Sequence, residues 1–208
     1  EINTPLSTIS LCLMGVKANR TSEEGFTKIL DGAQRSTTRI ANILNDLRLM
    51  SQSSFNDKYE RIPLSRVMES VKTFVTGLKD INFKENIKGK YIYGSEAWLV
   101  QLFVNLAHNS LYALAEKDDV GNMEIYISCE NEGSNNKIVW YDNGCGMTEM
   151  MLAKLFEPYY TSKPSTIGTG LGMSNVESII FMHKGHIEVD SKFDVFTKFT
   201  IYLPIEGD

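Results

Sequence analysis

Apolar residues near the start of the chain fall at Ile2, Leu6, Ile9, Leu13 and Val16, in alternating steps of four and three. That spacing lays them along one stripe of an α-helix, the seam of a coiled coil. The polar run Lys17 to Ser22 interrupts the stripe. The same stepping then resumes through Phe26, Leu30, Ala33, Thr37, Ile40, Leu44 and Leu47. Two seamed helices joined by a short polar loop predict an antiparallel hairpin. One hairpin has too little core to stand alone, so two copies are expected to pair as a dimeric four-helix bundle; packing on the rest of its own chain is the alternative. The second arm runs for about 29 residues, roughly 43 Å, against about 17 for the first. This inequality predicts that the first helix begins upstream of Glu1.

The pattern changes character around Ser51 to Lys58, a polar stretch that reads as a domain boundary. Residues 1–55 are assigned to the helical hairpin and 56–208 to a second domain. In the second domain, Tyr59 to Ile62 reads as a short strand. A helix follows from about Leu64 to Thr76, with Pro63 near its first turn. Ile81 to Ile87 and Lys90 to Tyr93 read as short strands. Ser95 is placed to cap a long helix running to about Ala115, with Leu99, Leu102, Phe103, Leu106 and Ser110 on one face. Met123 to Glu130 and Lys137 to Tyr141 form a hairpin around Gly133-Ser134-Asn135. Leu171 to His183 is a helix, and His186 to Asp190 with Phe196 to Leu203 make a last hairpin. The fold class is α+β: a helical hairpin followed by a sandwich of a mixed sheet with helices on one face.

Composition narrows the function. The 208 residues carry a net charge of -5, too acidic for a surface that tracks nucleic acid non-specifically. No apolar run approaches the ~20 residues of a membrane span, so no membrane contact is expected from this segment. Cys12, Cys129 and Cys145 are scattered and odd in number, which predicts a reducing, cytoplasmic setting and no structural zinc. Whether the parent protein is membrane-anchored is left open.

Four clusters carry candidate chemistry. Asn105-Leu106-Ala107-His108-Asn109-Ser110 sets two amides four residues apart on one helical face. Amide oxygens are hard ligands of the kind Mg²⁺ accepts alongside phosphate oxygens and water. Asp142-Asn143-Gly144-Cys145-Gly146 follows a strand; its carboxylate can accept a hydrogen bond from a base amino group, and its glycines allow close backbone approach. Leu155 to Lys163 packs aromatic bulk beside small polar residues. Gly168-Thr169-Gly170-Leu171-Gly172 opens a helix, where free N–H groups and the positive dipole end attract anions. Its spacing is neither a P-loop nor a dinucleotide fingerprint. Taken singly, each cluster also reads as ordinary structure: a polar helix face, a turn, a loop anchor.

In this order and spacing the four clusters resemble the catalytic and ATP-binding domain of sensor histidine kinases, over roughly residues 59–204. They match that family's N box, first glycine box, F box and second glycine box. Glu1-Ile2-Asn3-Thr4-Pro5-Leu6 is similar to its phosphoacceptor box, His-Glu-x-x-Thr-Pro-Leu, with the histidine position falling immediately before Glu1.

The resemblance implies ATP and Mg²⁺ as cofactors. Asn109 corresponds to the metal ligand and a catalytic position, and Asn105 to its polar companion. Asp142 corresponds to the reader of the adenine amino group. Gly144 and Gly146 form the first glycine box; Gly168, Thr169, Gly170, Leu171 and Gly172 form the phosphate-facing second one. Tyr160, Thr161, Ser162 and Lys163 lead into a nucleotide lid, and Lys163 either pairs with a phosphate or is solvated. Glu1 would take the proton of the acceptor histidine, and Thr4 would orient water for dephosphorylating a partner. The implied partners are a second copy of the chain and a response regulator. The implied reaction is phosphoryl transfer to histidine and onward to the regulator's aspartate; the alternative is a non-catalytic, nucleotide-binding signalling scaffold. His108 stands where related ATP hydrolases carry a water-activating Glu, which favours a kinase. His183 and His186 read as structural, and Cys145 has no assigned role.

Overall fold

A computed structural model of the chain describes residues 58–75, 81–117, 122–164 and 168–206, with 6–10, 14, 25, 29, 32, 33 and 36 nearer the start. The described residues before 58 are helical. The pairing of two arms expected over 1–55 lies outside the described residues, as do Glu1 and Thr4. The chain divides into two compact units: Glu1–Phe55 with Lys163–Thr169, and Asn56–Ser162 with Gly170–Asp208.

The second unit begins with β1 (Glu60–Pro63), which pairs antiparallel with β3 (Tyr91–Gly94) as a two-stranded ribbon. Between them lie α1 (Leu64–Val75) and β2 (Ile81–Asn86). Then come α2 (Glu96–Ala115), β4 (Met123–Glu132), β5 (Asn135–Asp142), the short α3 (Glu149–Ala153), α4 (Gly172–Met182), β6 (His186–Lys192) and β7 (Phe196–Pro204). The main sheet runs β2-β4-β5-β7-β6; β2 is parallel to β4 and every other pairing is antiparallel. This is the mixed sheet the strand pattern predicts.

Period-two burial explains the layering. Ile125, Ile127 and Cys129 on β4, Ile138, Trp140 and Asp142 on β5, and Phe199, Ile201 and Leu203 on β7 are all buried. Alternate positions on one strand point to one face, so this set faces the helices. The helices answer at helical spacing, with Leu64, Val67, Met68 and Val71 on α1 and Met173, Val176, Ile179 and Ile180 on α4. α2 lies between them and packs against both. Trp140 anchors the centre, fully buried between Phe83 and Phe103 at ring-centroid distances of 5.9 and 6.0 Å. Burying a side chain of that size stabilises the fold by about 1.5–3 kcal/mol or more.

Local chemistry differs from expectation at several points. Ser95 sits at the N-cap of α2 with extended backbone, but its side chain makes no capping bond. Its N–H instead donates to Nε2 of His183, 3.2 Å away. Nδ1 of His183 lies 2.7 Å from the Ile179 carbonyl, so it carries the ring proton and Nε2 is the acceptor. The reading of His183 as structural therefore gains a mechanism: the ring ties the start of α2 to the end of α4. His186 stacks on Tyr202 at 4.3 Å. In the β4–β5 hairpin, Gly133 takes φ +61 at the first of two loop residues, as a type II′ turn requires. The β6–β7 turn has no glycine; Asp194 supplies the left-handed residue there at φ +61.

Candidate nucleotide site

The site grows from α2. Asn105 and Asn109 share its face, Asn105 buried and Asn109 half-buried. Gln101, one turn earlier, donates from Nε2 to Oδ1 of Asn105 at 3.1 Å. That bond turns the amide nitrogen of Asn105 away from Gln101, and this buried nitrogen has no hydrogen-bond partner among the described residues. An unsatisfied buried donor costs about 1–3 kcal/mol, which a ligand oxygen would recover.

One residue beyond Asn109, Ser110 reaches the end of β5. Its hydroxyl donates to Oδ2 of Asp142 at 2.6 Å, while the N–H of Gly144 donates to Oδ1 at 3.1 Å. Asp142 is 2 % exposed, and this burial pushes its pKa up. The Ser110 and Gly144 bonds and the charge of Lys117 pull the other way. Each carboxylate oxygen keeps a lone pair for a donor on a ligand.

The loop after Asp142 is pinned on three sides. Asn143 is bonded to the start of β4, accepting from the Glu124 N–H at 2.8 Å and donating to the Asn122 carbonyl at 2.7 Å. The Cys145 N–H donates to the Ala113 carbonyl at 2.9 Å, and its own carbonyl accepts from the Asp194 N–H at 2.6 Å. A Cβ on Gly144 would lie 2.7 Å from the Ala113 carbonyl carbon, and one on Gly146 only 2.1 Å from the Lys192 carbonyl oxygen. The approach these glycines permit here is to the protein's own backbone. The Gly144 N–H also helps to seat Asp142.

The second glycine cluster divides in role. Gly170 takes φ +70, and a Cβ there would strike the Tyr159 carbonyl carbon at 2.3 Å. Tyr159 is itself left-handed at φ 67. Gly172 opens α4 and faces open space. No side chain caps this helix, Leu171 being the N-cap residue, so its first turn keeps N–H groups of the kind that bind anions. Tyr160 is half-buried near Lys154, whose ammonium lies 5.9 Å from its ring centre; Thr161 and Ser162 are exposed. Lys163, Gly168 and Thr169 group with the first unit.

Asn105, Asn109, Asp142 and Gly144 are thus brought together through Ser110 and the Ala113 contact. Sequence reasoning missed the residues that hold them: Gln101, Ser110, Lys117 and Trp140. Gln101 was detectable as an amide four residues before Asn105, and Trp140 as sharing a strand face with Asp142. It also missed α3, which Thr148 caps by accepting from the Met151 N–H. No group of three or more His, Cys, Asp or Glu able to hold a metal occurs among the described residues.

A single buried carboxylate, a row of amides on α2 with Asn105 buried, and a helix start without a side-chain cap, on a five-stranded mixed sheet, fit the class the motifs suggest. Comparison with known proteins agrees. The profile of the histidine kinase-, DNA gyrase B- and HSP90-like ATPases matches residues 94–207, and the chain belongs to this family. Among curated relatives, sporulation kinase B of Bacillus subtilis is 42% identical over 115 residues, covering 55% of this chain and 26% of the relative. Sporulation kinase A of the same organism is 30% identical over 98% of this chain and 33% of its own length. The chain spans a third or less of the length of these two. Among solved structures, the Acinetobacter baumannii histidine kinase AdeS superposes with a TM-score of 0.71 at 22% identity, covering 100% of this chain and 98% of that one. At that identity the likeness speaks for the fold.

Proposed function

We propose that the chain is the core of a sensor histidine kinase: it binds Mg·ATP, passes the γ-phosphoryl group to a histidine on the helical segment, and supplies it from there to an aspartate of a response regulator. The observation that carries this reading is the buried amide nitrogen of Asn105, left without a partner on the face it shares with Asn109. A phosphate oxygen satisfies it. Asp142 accepts from the base, Asn109 holds the metal with oxygens that the nucleotide and water bring, and the first turn of α4 faces phosphate charge. Bound Mg²⁺ supplies neutralisation of the phosphate oxygens; the protein's share is positioning. The helical hairpin over 1–55 would pair two copies and present the acceptor. The printed description of one structural neighbour, the histidine kinase ThkA in complex with the response regulator protein TrrA, supports a regulator as partner; its TM-score is 0.68 at 19% identity.

The chain preceded by a histidine ahead of Glu1 should incorporate acid-labile label from [γ-³²P]ATP. Asn109→Ala should abolish that labelling. Nucleotide binding without any transfer would replace this reading with that of a non-catalytic scaffold. Steady phosphate release without phosphohistidine would mark an ATP hydrolase.

A further inference from the structure

Asp142 is held by a chain of donors that starts outside the recognised motifs. The indole N–H of Trp140 donates to Oγ of Ser110 at 2.9 Å, and Oγ in turn donates to Oδ2 of Asp142 at 2.6 Å. All three residues are 2 % exposed or less. Proton bookkeeping leaves one arrangement. An indole nitrogen can only donate, so Ser110 must accept from it. Ser110 has a single proton, and the short contact to Asp142 uses it.

We propose that Trp140 and Ser110 are specificity-determining positioning residues that keep Asp142 a pure acceptor and so make the site reject 6-oxopurine nucleotides. This rests on the nucleotide reading above and adds the means of discrimination. A serine free to rotate could turn its proton toward a 6-oxo group and admit it. With its one proton held by Asp142 and its rotation fixed by the bond from Trp140, Ser110 has no donor left for another acceptor. At the 6-position, which faces Asp142 in this reading, the base must therefore bring a donor, as the amino group of adenine does and a 6-oxo group does not. Sites built around fixed buried polar groups reject mismatched ligands because those groups are left facing like partners. Replacing Ser110 by alanine would open space for a water, whose two protons can bridge Asp142 and a 6-oxo group.

The test is calorimetric titration of the full chain with Mg·ATP and Mg·ITP, which differ at the 6-position and the adjacent ring nitrogen. The parent protein is expected to prefer ATP by at least about tenfold, the scale of one charge-assisted hydrogen bond. Ser110→Ala should cut that ratio by about tenfold. Ser110→Thr, which keeps the hydroxyl, should retain it. Trp140→Phe should lower the ratio with Ser110 still present. Equal affinities in the parent overturn the proposal, and this needs no variant to fold. So does a parallel loss of both nucleotides in Ser110→Ala with the ratio intact, the mark of a merely structural role. An unchanged ratio in folded Trp140→Phe removes Trp140 from the chain. A parent that binds neither nucleotide refutes the nucleotide reading itself.

Discussion

His183 offers the sharpest test of the forces that hold the second unit together. Its ring is 5 % exposed and lies against Gly94, where a Cβ would come within 2.4 Å of it. Nε2 accepts from the Ser95 N–H, and Ser95 is itself 3 % exposed. Replacement by phenylalanine keeps an aromatic ring of similar size but turns a C–H toward that N–H. The stranded donor should cost about 1–3 kcal/mol. The Ile179 carbonyl loses less, because it still accepts from the backbone N–H of residue 183 at 3.1 Å.

The pH dependence follows from the same geometry. Burial holds the His183 pKa below its ordinary value of 6.5, with the Ile179 bond pulling weakly upward. The unfolded chain therefore takes the proton first as the pH falls. Stability from the neutral ring is fully present above 6.5 and is lost as the pH drops below that, toward the folded-state pKa. Urea unfolding followed by tryptophan fluorescence reads this unit directly, since both tryptophans, Trp98 and Trp140, lie in its core. Between about pH 7.5 and 5.5 the parent should lose stability that His183→Phe does not lose. Asp142 acts with the opposite sign, its burial cost being relieved as the pH falls, but it is common to both proteins and cancels in the comparison. An identical pH slope in parent and variant would refute the account, as would a His183→Phe variant no less stable than the parent at the higher pH.

Gly146→Ala should destabilise by at least about 2 kcal/mol in thermal or urea unfolding, from its φ of +59 and the 2.1 Å approach to the Lys192 carbonyl. Gly172→Ala, facing open space at the start of α4, should gain up to about 1 kcal/mol in the same assay. Asn105→Ala should weaken Mg·ATP at least tenfold by calorimetry while shifting stability by less than about 1 kcal/mol, because the lost Gln101 bond is offset by removal of an unsatisfied donor. Asp194→Gly should raise the urea midpoint by an amount equivalent to about 0.5–1 kcal/mol, since it relieves a left-handed non-glycine residue.

How much of this was legible in the sequence depends on the range of the force involved. Strand alternation and the 3.6-residue period are local, and they located every strand and the three longer helices of the second unit. The short α3 has one turn and no buried residue, so no apolar stripe announced it. Ser95 does hold the N-cap position of α2, and only its side-chain bond is absent. Serine before a helix is a sound capping signal, but the contact Ser95 makes is through its backbone N–H, to a histidine 88 positions away. The glycines were read through their usual freedom near ligands, whereas at 144 and 146 the partners are backbone atoms of Ala113 and Lys192, which spacing cannot reveal. Ser110 stood inside a quoted motif as part of a helix face; only the packing of α2 on β5 turned it into a ligand of Asp142.

At the end of α4 remote from Gly172, His183 has both ring nitrogens bonded and neutral, and its titration only weakens the fold. Near the start of that helix and along α2, the chain carries a buried carboxylate, an unsatisfied amide and two touching left-handed residues, Tyr159 and Gly170. Strain and unpaired polarity persist only where the surroundings over-determine them; left-handed non-glycine residues also occur at Lys184, beside His183, and at Asp194. The Trp140–Ser110–Asp142 chain is that over-determination at one point. The most deeply buried aromatic ring in the sheet, placed there by hydrophobic packing, also fixes the direction of one proton. Core packing and base selection are therefore coupled through a single side chain. A substitution at Trp140 that preserved the fold would still alter the site.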